Sequence, residues 1–279
     1  MDEDRLLETA MGAARAGGQA ALEGLGKPGR TKWKGYKDIV TPSTLQAQER
    51  ILQTIRQEFP DHAILSEELA ETPAPEAESL WIIDPIDGSL NYLRGIPLFA
   101  VAIGFRQGGI YRLGVVYDPC RDELFHAIYH RGAYLNGRRI RTQSYSEGVE
   151  AYQAATVATD WPVETDKRTA TALIIRLIAG EVRSTQILGS PALGLCYIAA
   201  GRLDAYFHLQ LRLWDVAAAA VILQEGGGVL TDEKGSTWFH SKGGYLATNG
   251  VIHGSMLHPM RLVREQEAVL AKRDLTSSS

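Results

Sequence analysis

A series of short apolar segments separated by turn signals constrains the fold of this chain most strongly. The segments lie at residues 99–105, 112–117 and 123–128, with Gly108-Gly109 and Asp118-Pro119 between them. A further hairpin is predicted where Asn136-Gly137 separates two more short segments. Parallel strands need a long crossover connection, and these connections are too short to provide one. The pattern therefore predicts an antiparallel meander, and with it an α+β fold rather than a series of βαβ units.

Helical patterns flank the meander on both sides. Residues 3–23 are amphipathic and rich in Ala and Leu, and Thr41 followed by Pro42 predicts the start of a second helix. Later helices are predicted at residues 166–178, from Ser190 to Gly201, and at residues 216–224. The change of pattern near residues 142–152 predicts an N-terminal half at 1–147, a C-terminal half at 148–273 and a disordered tail at 274–279.

The composition is that of an ordinary globular protein. Hydrophobic residues make up 45% and charged residues 22%, and the formal net charge is −4. No basic tract stands out, so we expect no nucleic-acid partner. No apolar run reaches the roughly 18 residues of a membrane span, so we expect no membrane association. The two cysteines have no metal-type spacing and the acidic N-terminus has no signal-peptide pattern, which together predict a cytoplasmic location.

Two carboxylates follow a buried apolar run. Trp81-Ile82-Ile83 predicts a buried strand, and Asp84 and Asp87 come directly after it. Pro85 is expected to end the strand, and Gly88 to turn the backbone sharply. Carboxylate oxygens on a tight turn suit a hard cation such as Mg²⁺, and the N–H groups and hydroxyl at Gly88 and Ser89 suit a phosphate. We therefore expect phosphoryl chemistry at this loop.

Other carboxylates lie at the ends of predicted elements. Glu67 and Glu68 follow a short strand, and Asp215 opens a helix. Glu67 and Glu68 could simply be solvated loop charges, and Asp215 could be a helix N-terminal charge that the dipole stabilises. Asp84 is different, because its base is expected to be buried and a buried carboxylate needs a partner.

Five motifs in register resemble the inositol monophosphatase family over roughly residues 5 to 250. They are Lys37-Asp38-Ile39-Val40-Thr41, Ser66-Glu67-Glu68, Asp84-Pro85-Ile86-Asp87-Gly88-Ser89-Leu90-Asn91-Tyr92, Gly201-Arg202-Leu203-Asp204-Ala205-Tyr206 and Trp214-Asp215-Val216-Ala217-Ala218 with Glu225-Gly226-Gly227-Gly228. The resemblance implies a layered α-β-α-β-α sandwich of the inositol monophosphatase and fructose-1,6-bisphosphatase type, with a metal site between the halves. It also implies a homodimer.

The resemblance implies a Mg²⁺-dependent phosphomonoesterase that hydrolyses a small phosphorylated polyol or sugar by a metal-activated water. The implied metal ligands are Glu67, Asp84, the Ile86 carbonyl, Asp87 and Asp215. The implied phosphate-binding residues are Gly88 and Ser89, and the implied substrate-binding residues are Asp87, Ser190, Pro191, His208 and Asp215. The implied catalytic residues are Glu67, Asp84, Asp87, Ser89 and Thr44. Two or three Mg²⁺ ions are expected, with Mn²⁺ as a substitute and Li⁺ as an inhibitor.

Thr44 departs from the family pattern. The family usually has an aspartate three residues after the threonine that stands here as Thr41, and that aspartate helps to position the attacking water. A threonine neither binds Mg²⁺ strongly nor accepts a proton near neutral pH. We expect weaker catalysis, loss of an auxiliary metal, or compensation by Glu68 or Asp38; alternatively, Thr44 only packs and caps its helix. In a different class, the chain would be a catalytically weak regulatory protein that binds metal and phosphate.

His208 is the second departure. It stands seven residues before Asp215, where inositol-specific members have a glutamate that binds ring hydroxyls. A histidine would tolerate a second phosphate on the substrate, so fructose 1,6-bisphosphate is an alternative substrate. Other members act on histidinol phosphate or 3′-phosphoadenosine 5′-phosphate. A further alternative is that His208 is a surface histidine near the end of a strand.

Overall fold

The computed structural model describes residues 2–27, 29, 31–35, 38–69, 77–143, 148–238 and 242–277, with the backbone alone at 33–35, 38, 242 and 267–277. Lys37, most of the predicted loop at 70–79 and residues 144–147 at the predicted boundary between halves lie outside these ranges. Two short strands, β1 (Lys32–Gly35) and β2 (Asp38–Val40), form an antiparallel pair near the N-terminus.

A seven-stranded sheet contains the predicted meander, which is confirmed. Its strands are β3 (Ala63–Ser66), β4 (Ser79–Asp87), β5 (Ala100–Gln107), β6 (Ile110–Asp118), β7 (Glu123–Ile128), β8 (Gly132–Leu135) and β9 (Arg138–Ile140). They lie in sequence order across the sheet, and every neighbouring pair except β3 and β4 is antiparallel. The short connections between β5 and β9 therefore join strands that are neighbours in space, as their turn residues predict.

The C-terminal half contains a second sheet of mixed direction. Its strands are β10 (Thr156–Thr159), β11 (Ser184–Ile187), β12 (Ala205–Arg212), β13 (Val229–Asp232) and β14 (Lys242–Thr248). Their order across the sheet is β11-β10-β12-β14-β13. The strand β10 is parallel to both of its neighbours, whereas β14 is antiparallel to β12 and β13.

Helices cover both sheets and separate them. The helices are α1 (Glu3–Gly24), α2 (Pro42–Glu58), α3 (Ser89–Leu93), α4 (Gly148–Ala154), α5 (Thr165–Ile178), α6 (Pro191–Ala199), α7 (Leu213–Glu225) and α8 (His253–Ser277). The pair α1 and α2 packs on the large sheet, α6 and α7 lie between the two sheets, and α5 and α8 pack on the small sheet. This order of layers confirms the predicted α-β-α-β-α sandwich.

The helix α7 lies unusually close to the large sheet because both surfaces consist of small residues. A Cβ atom added at Gly114 of β6 would lie 1.9 Å from the carbonyl oxygen of Ala218, and one at Gly104 of β5 would lie 3.1 Å from the Ala218 nitrogen. The alanine-rich start of α7 therefore has a structural reason. The first turn of α7 carries Asp215, so this closely packed helix brings that residue to the large sheet.

Pro85 does not end its strand, so that prediction is wrong. The strand β4 continues to Asp87, and its register against β5 shifts between Asp84 and Asp87. A bulge of this kind tolerates a proline, because the residue that lacks an N–H is left out of the ladder. At the C-terminus, α8 continues to Ser277, within the segment for which the sequence predicts a disordered tail. Among the described residues, no helix has both the length and the apolar character needed to cross a membrane.

Candidate active site

Three carboxylates from distant parts of the chain converge between the halves. One oxygen each of Asp84, Asp87 and Asp215 lies within 4.8 Å of the others. Glu67 lies beside this group, close enough for its charge to raise the pKa of Asp84. The Glu67 backbone N–H also donates to the carbonyl of Ile83, at 3.2 Å, which ties the end of β3 to β4. We refer to Glu67, Asp84, Asp87 and Asp215 as the acidic cluster.

The bulge in β4 explains how Asp84 and Asp87 both face this cluster. In a regular strand, residues three apart point to opposite faces of the sheet. The register shift between the two aspartates changes that alternation, so both carboxylates lie on one side. Asp84 also accepts a hydrogen bond from the N–H of Ile86 at 3.0 Å, which holds the bulge closed. The proline after Asp84 thus shapes the site from within the strand.

Burial makes the ionised cluster costly unless a cation is present. Loss of hydration raises the pKa of Asp84 well above its usual range, and the charges of Glu67, Asp87 and Asp215 raise it further. Burial also raises the pKa of Asp87 well above its usual range, against the opposing effect of a hydrogen bond from Ser190. An all-oxygen set of crowded carboxylates fits a divalent cation such as Mg²⁺, which would neutralise this repulsion.

Asp87 is fixed by the first turn of α6. The Ser190 hydroxyl donates to the Asp87 carboxylate, and the N–H of Ala192 donates to the same oxygen at 3.0 Å. Pro191 occupies the first position of α6, where no N–H is needed, and Ser190 caps the helix by accepting from Leu193. The predicted substrate residues Ser190 and Pro191 thus lie beside a cluster carboxylate, and Ser190 contacts it directly.

Gly88 and Ser89 form the turn that follows the acidic strand. Gly88 has φ = 99°, and a Cβ atom there would lie 2.8 Å from the carbonyl oxygen of Gly189. Only glycine combines this backbone conformation with so close an approach. Ser89 then opens α3 and is partly exposed.

Asn91 joins this turn to the C-terminal half. Its amide donates to the carbonyl of Leu98 at 2.9 Å and to that of Leu188 at 2.8 Å. The motif residue Asn91 therefore has a clear structural task, which is to hold the Gly88–Ser89 turn against the segment that precedes α6.

Asp215 lies in the first turn of α7 and is partly exposed. Its carboxylate accepts the backbone N–H of Arg212 at 2.7 Å, so it caps its own helix. Asp215 therefore lies at a helix N-terminus, as the alternative interpretation states. The same carboxylate also faces Asp84 and Asp87, so capping fixes a residue that can bind a cation.

Thr44 is buried and participates in the cap of α2. Its hydroxyl lies 2.9 Å from the hydroxyl of Thr41 and accepts the Thr41 N–H at 3.3 Å, while its own N–H donates to the Thr41 hydroxyl at 3.2 Å. One helical turn later, Gln48 accepts a 2.6 Å hydrogen bond from Ser66, the neighbour of Glu67. Thr44 therefore lies on the helix face directed at this end of β3, but its hydroxyl serves the cap.

His208 is buried in β12, so the alternative of a surface histidine is wrong. Burial lowers the pKa of His208 to about 3, and the ring is neutral at physiological pH. Its Nδ1 atom accepts the N–H of Gln210 at 3.0 Å, which places the proton of the neutral ring on Nε2. His208 shares its strand face with Tyr206, whose side chain is in the core between the sheets.

The remaining predicted groups have mixed surroundings. Ile86 is buried between α1, α2 and the loop around Phe99, and its carbonyl as a metal ligand remains a prediction. Glu68 is partly exposed beside the cluster residue Glu67, whereas the side chain of Asp38 lies outside the described residues.

Asp160 is a site-adjacent carboxylate that sequence reasoning missed. It follows β10 directly and is buried, with burial raising its pKa to about 6. Its oxygens accept hydrogen bonds from the N–H groups of Leu188 and Gly189 and from the hydroxyl of Tyr206. The signal was present in the sequence, because a short apolar strand that ends in a carboxylate is also what distinguishes Asp84.

Comparison with known proteins gives a consistent result. Residues 2–269 match the sequence profile of the Inositol monophosphatase family. The chain is 35% identical to Inositol monophosphatase 1 of Solanum lycopersicum, over 93% of this chain and 96% of that protein. It is also 35% identical to the Nus factor SuhB of Escherichia coli K12, over 92% of this chain and 96% of that protein. Among solved structures, an IMPase of Thermotoga maritima superposes with a TM-score of 0.85 at 32% identity, over 94% of this chain and 99% of that one.

Proposed function

This chain belongs to the inositol monophosphatase family, and on that premise we propose that it is a Mg²⁺-dependent phosphomonoesterase that hydrolyses a small phosphorylated polyol or sugar. One observation carries the proposal: Asp84, Asp87 and Asp215 bring carboxylate oxygens within 4.8 Å of one another beside the turn of Gly88 and Ser89. Crowded carboxylates suit a divalent cation, and backbone amides on a turn suit a phosphate.

Different residues of the chain would bind the cation and the phosphate. Glu67, Asp84, Asp87 and Asp215 would hold the cations, with the Ile86 carbonyl as a further ligand. Bound Mg²⁺ would supply charge neutralisation of the phosphoryl oxygens and a lowered pKa for the attacking water. Gly88 and Ser89 would donate N–H groups to the phosphate and fix its orientation, while Glu67 would orient the water from the rim of the cluster, where it is partly exposed.

His208 supports a broad choice of phosphorylated substrate. Because the buried ring is neutral with its proton on Nε2, it offers a hydrogen-bond donor without a charge. Such a group neither repels a second phosphate, as a carboxylate would, nor attracts one as a cation. A hydroxyl or a phosphate oxygen of the substrate would accept from it, so the proposal includes both inositol monophosphate and fructose 1,6-bisphosphate as substrates.

A panel of phosphate esters tests the proposal. Inositol 1-phosphate, fructose 1,6-bisphosphate, histidinol phosphate and 3′-phosphoadenosine 5′-phosphate are incubated with the protein and Mg²⁺, and phosphate release is measured. We expect hydrolysis of at least one sugar or polyol ester by the wild type and none by Asp84→Asn. Asp118→Asn is the matched control, because Asp118 is also a buried aspartate that accepts two backbone N–H groups in a turn. Hydrolysis by Asp84→Asn at the wild-type rate would exclude the acidic cluster from the reaction.

A second candidate function is a regulatory protein that binds metal and phosphate but turns over slowly. The hydroxyl of Thr44 favours it, because that hydroxyl is engaged with Thr41 and supplies no carboxylate. Wild type that is inert on every ester, together with activity gained in Thr44→Asp, would favour this candidate over the enzyme.

A further inference from the structure

The Asp160 carboxylate, at the end of β10, accepts hydrogen bonds from neutral backbone and hydroxyl donors. One carboxylate oxygen accepts the N–H groups of Leu188, at 2.8 Å, and Gly189. The other oxygen accepts the Tyr206 hydroxyl at 2.8 Å. Asp160 and Tyr206 are both buried, so this arrangement is shielded from water. Both oxygens of the carboxylate are therefore used, one for the backbone of residues 188 and 189 and one for the neighbouring strand β12.

The backbone that Asp160 holds is the segment of residues 188–190, which we call the 188–190 turn. The structure joins this turn to the N-terminal half at three points. The carbonyl of Leu188 accepts from Asn91, the carbonyl of Gly189 lies against Gly88, and Ser190 donates to Asp87. Every residue of the turn thus contacts the segment that carries the acidic strand end, and Asp160 holds the turn from the opposite side.

We propose that Asp160 is a positioning residue for the acidic cluster, acting through the 188–190 turn to hold Ser190 and the first turn of α6 against Asp87. The inference rests on the proposed function in one respect, which is that the cluster binds a divalent cation. Asp160 itself would touch neither the cation nor the substrate. Its effect would be to fix the direction in which Asp87 presents its other carboxylate oxygen, Oδ1.

A carboxylate is required at position 160 because both of its oxygens accept hydrogen bonds. The isosteric asparagine has one accepting oxygen, and its NH₂ group only donates. If the asparagine oxygen faces Leu188 and Gly189, its NH₂ group faces the Tyr206 hydroxyl, which must then reverse its role. If the side chain is flipped, the NH₂ group opposes two backbone N–H groups. Either orientation disturbs a buried, fully satisfied network, and such networks are sensitive to the loss of one member.

Metal binding by the purified full-length chain tests this role without depending on catalysis. Mn²⁺ is titrated by calorimetry into metal-free wild type, Asp160→Asn and Tyr206→Phe, and unfolding temperatures are recorded alongside. We expect the Kd for Mn²⁺ to rise about 10-fold in Asp160→Asn, the lower end of what outer-shell changes cause. Tyr206→Phe keeps the Asp160 carboxyl group but removes a donor that holds it, so we expect a smaller rise in the same direction.

Asp118→Asn provides the control for general destabilisation, because Asp118 is a buried turn aspartate of the β6–β7 connection. We expect it to lower the unfolding temperature while leaving the Kd for Mn²⁺ unchanged. A Kd in Asp160→Asn within about twofold of wild type would overturn the inference. So would a rise in Asp160→Asn with none in Tyr206→Phe, since that would assign the effect to the Asp160 charge. If Asp160→Asn does not fold, the Kd for Mn²⁺ of Tyr206→Phe is compared with that of the wild type, and an unchanged Kd overturns the inference. Wild type that binds no Mn²⁺ or Mg²⁺ would instead overturn the proposed function, and this inference with it.

Discussion

Ser190 donates a hydrogen bond to Asp87, although the two residues belong to opposite halves of the chain. The N–H of Ala192 donates a second hydrogen bond to the same carboxylate oxygen, so two groups at the start of α6 bind the end of β4. As a result, the packing of the two halves and the geometry of the candidate metal site are not independent. Changes in the 188–190 turn are expected to alter both, and so are changes in the turn of Gly88 and Ser89.

Removal of one charge from the acidic cluster has opposite effects on stability and on function. We expect Asp84→Asn to raise the unfolding temperature of the metal-free protein, because a buried carboxylate that its neighbours repel becomes neutral. The asparagine oxygen can still accept the N–H of Ile86. The increase in unfolding temperature on addition of Mg²⁺ should shrink or vanish, and phosphate release should fall by more than about 100-fold. Differential scanning fluorimetry with and without Mg²⁺ measures the first two effects.

Asp118→Asn is again the control for that experiment. It removes a buried aspartate whose carboxylate pairs with Arg121, so it should lower the unfolding temperature with and without Mg²⁺ alike. An unchanged response of Asp84→Asn to Mg²⁺ would show that the cation binds elsewhere.

A carboxylate at position 44 should increase turnover. Thr44→Asp places a carboxylate in the first turn of α2, where the helix dipole favours it and an aspartate can retain the hydrogen bond to the Thr41 N–H. If a positioned acid–base group is what this site lacks, kcat should rise by about 100-fold, the lower end for such groups. Initial rates on the best ester of the panel measure the change.

The neighbouring Leu45→Asp is the matched variant for Thr44→Asp. Leu45 lies in the same helical turn but is exposed, so Leu45→Asp adds the same charge on the solvent side of α2. Equal gains from the two variants would mean that the charge acts at long range, and no gain from Thr44→Asp would assign Thr44 to packing and capping alone.

Glycine at position 189 should stabilise the contact between the 188–190 turn and Asn91. Gly189 has φ = 79°, and a Cβ atom there would lie 2.6 Å from the Asn91 amide nitrogen. Gly189→Ala therefore adds a steric clash to the cost of a left-handed backbone, and we expect a loss of about 2–4 kcal/mol of unfolding free energy. Urea denaturation measures this loss.

Gly95→Ala isolates the cost of the left-handed backbone. Gly95 has φ = 71° and no atom within 4 Å of its added Cβ, so a loss of about 1 kcal/mol is expected. Equal losses would contradict the predicted clash with Asn91.

His208 should make the protein sensitive to mild acid. Burial lowers the pKa of His208 to about 3, from an ordinary value of 6.5, so at pH 5 the unfolded chain binds a proton that the folded chain does not. Stability from this source is fully present above pH 6.5 and is lost progressively as the pH falls toward 3. Between pH 7.5 and pH 5.0 the loss is about 2 kcal/mol.

Substitution of His208 by a residue that does not titrate reveals this effect. Over the interval from pH 7.5 to pH 5.0, His208→Gln should lose about 2 kcal/mol less unfolding free energy than the wild type. The control is His258→Gln on the exposed surface, measured by the same urea denaturation. Parallel curves for His208→Gln and wild type would mean that the ring titrates in the folded state as it does in the unfolded state.

The parts of the fold that could be predicted from the sequence are those with local causes. The meander follows from its short turns, and the start of α2 follows from Thr41 and Pro42. The strand β14 has no clear pattern, because Gly243 and Gly244 interrupt its apolar alternation. Since β14 covers one edge of β12, the burial of His208 could not be foreseen without it.

The candidate site divides in the same way. Asp84 and Asp87 are predictable from one segment, because an apolar strand, a proline and a glycine adjoin them. The approach of Asp215 to them comes from the resemblance to a family and not from local pattern. The contact of Ser190 with Asp87 depends on how segments that are 103 residues apart in the chain pack together, which neither periodicity nor spacing encodes. The strand that ends just before Asp160 is a local signal, but the contact of Asp160 with the 188–190 turn depends on the same packing.

The distribution of the acidic cluster along the chain has a kinetic consequence. Glu67, Asp84, Asp87 and Asp215 lie directly after β3, in β4 and in α7, so the cation-binding geometry depends on contacts of long sequence separation. Such contacts are costly in loop-closure entropy, and the complete cluster should be absent from the folding transition state. Mg²⁺ should therefore slow unfolding while leaving the refolding rate nearly unchanged. In a cell, bound cation would then lengthen the lifetime of the native state without helping a new chain to reach it.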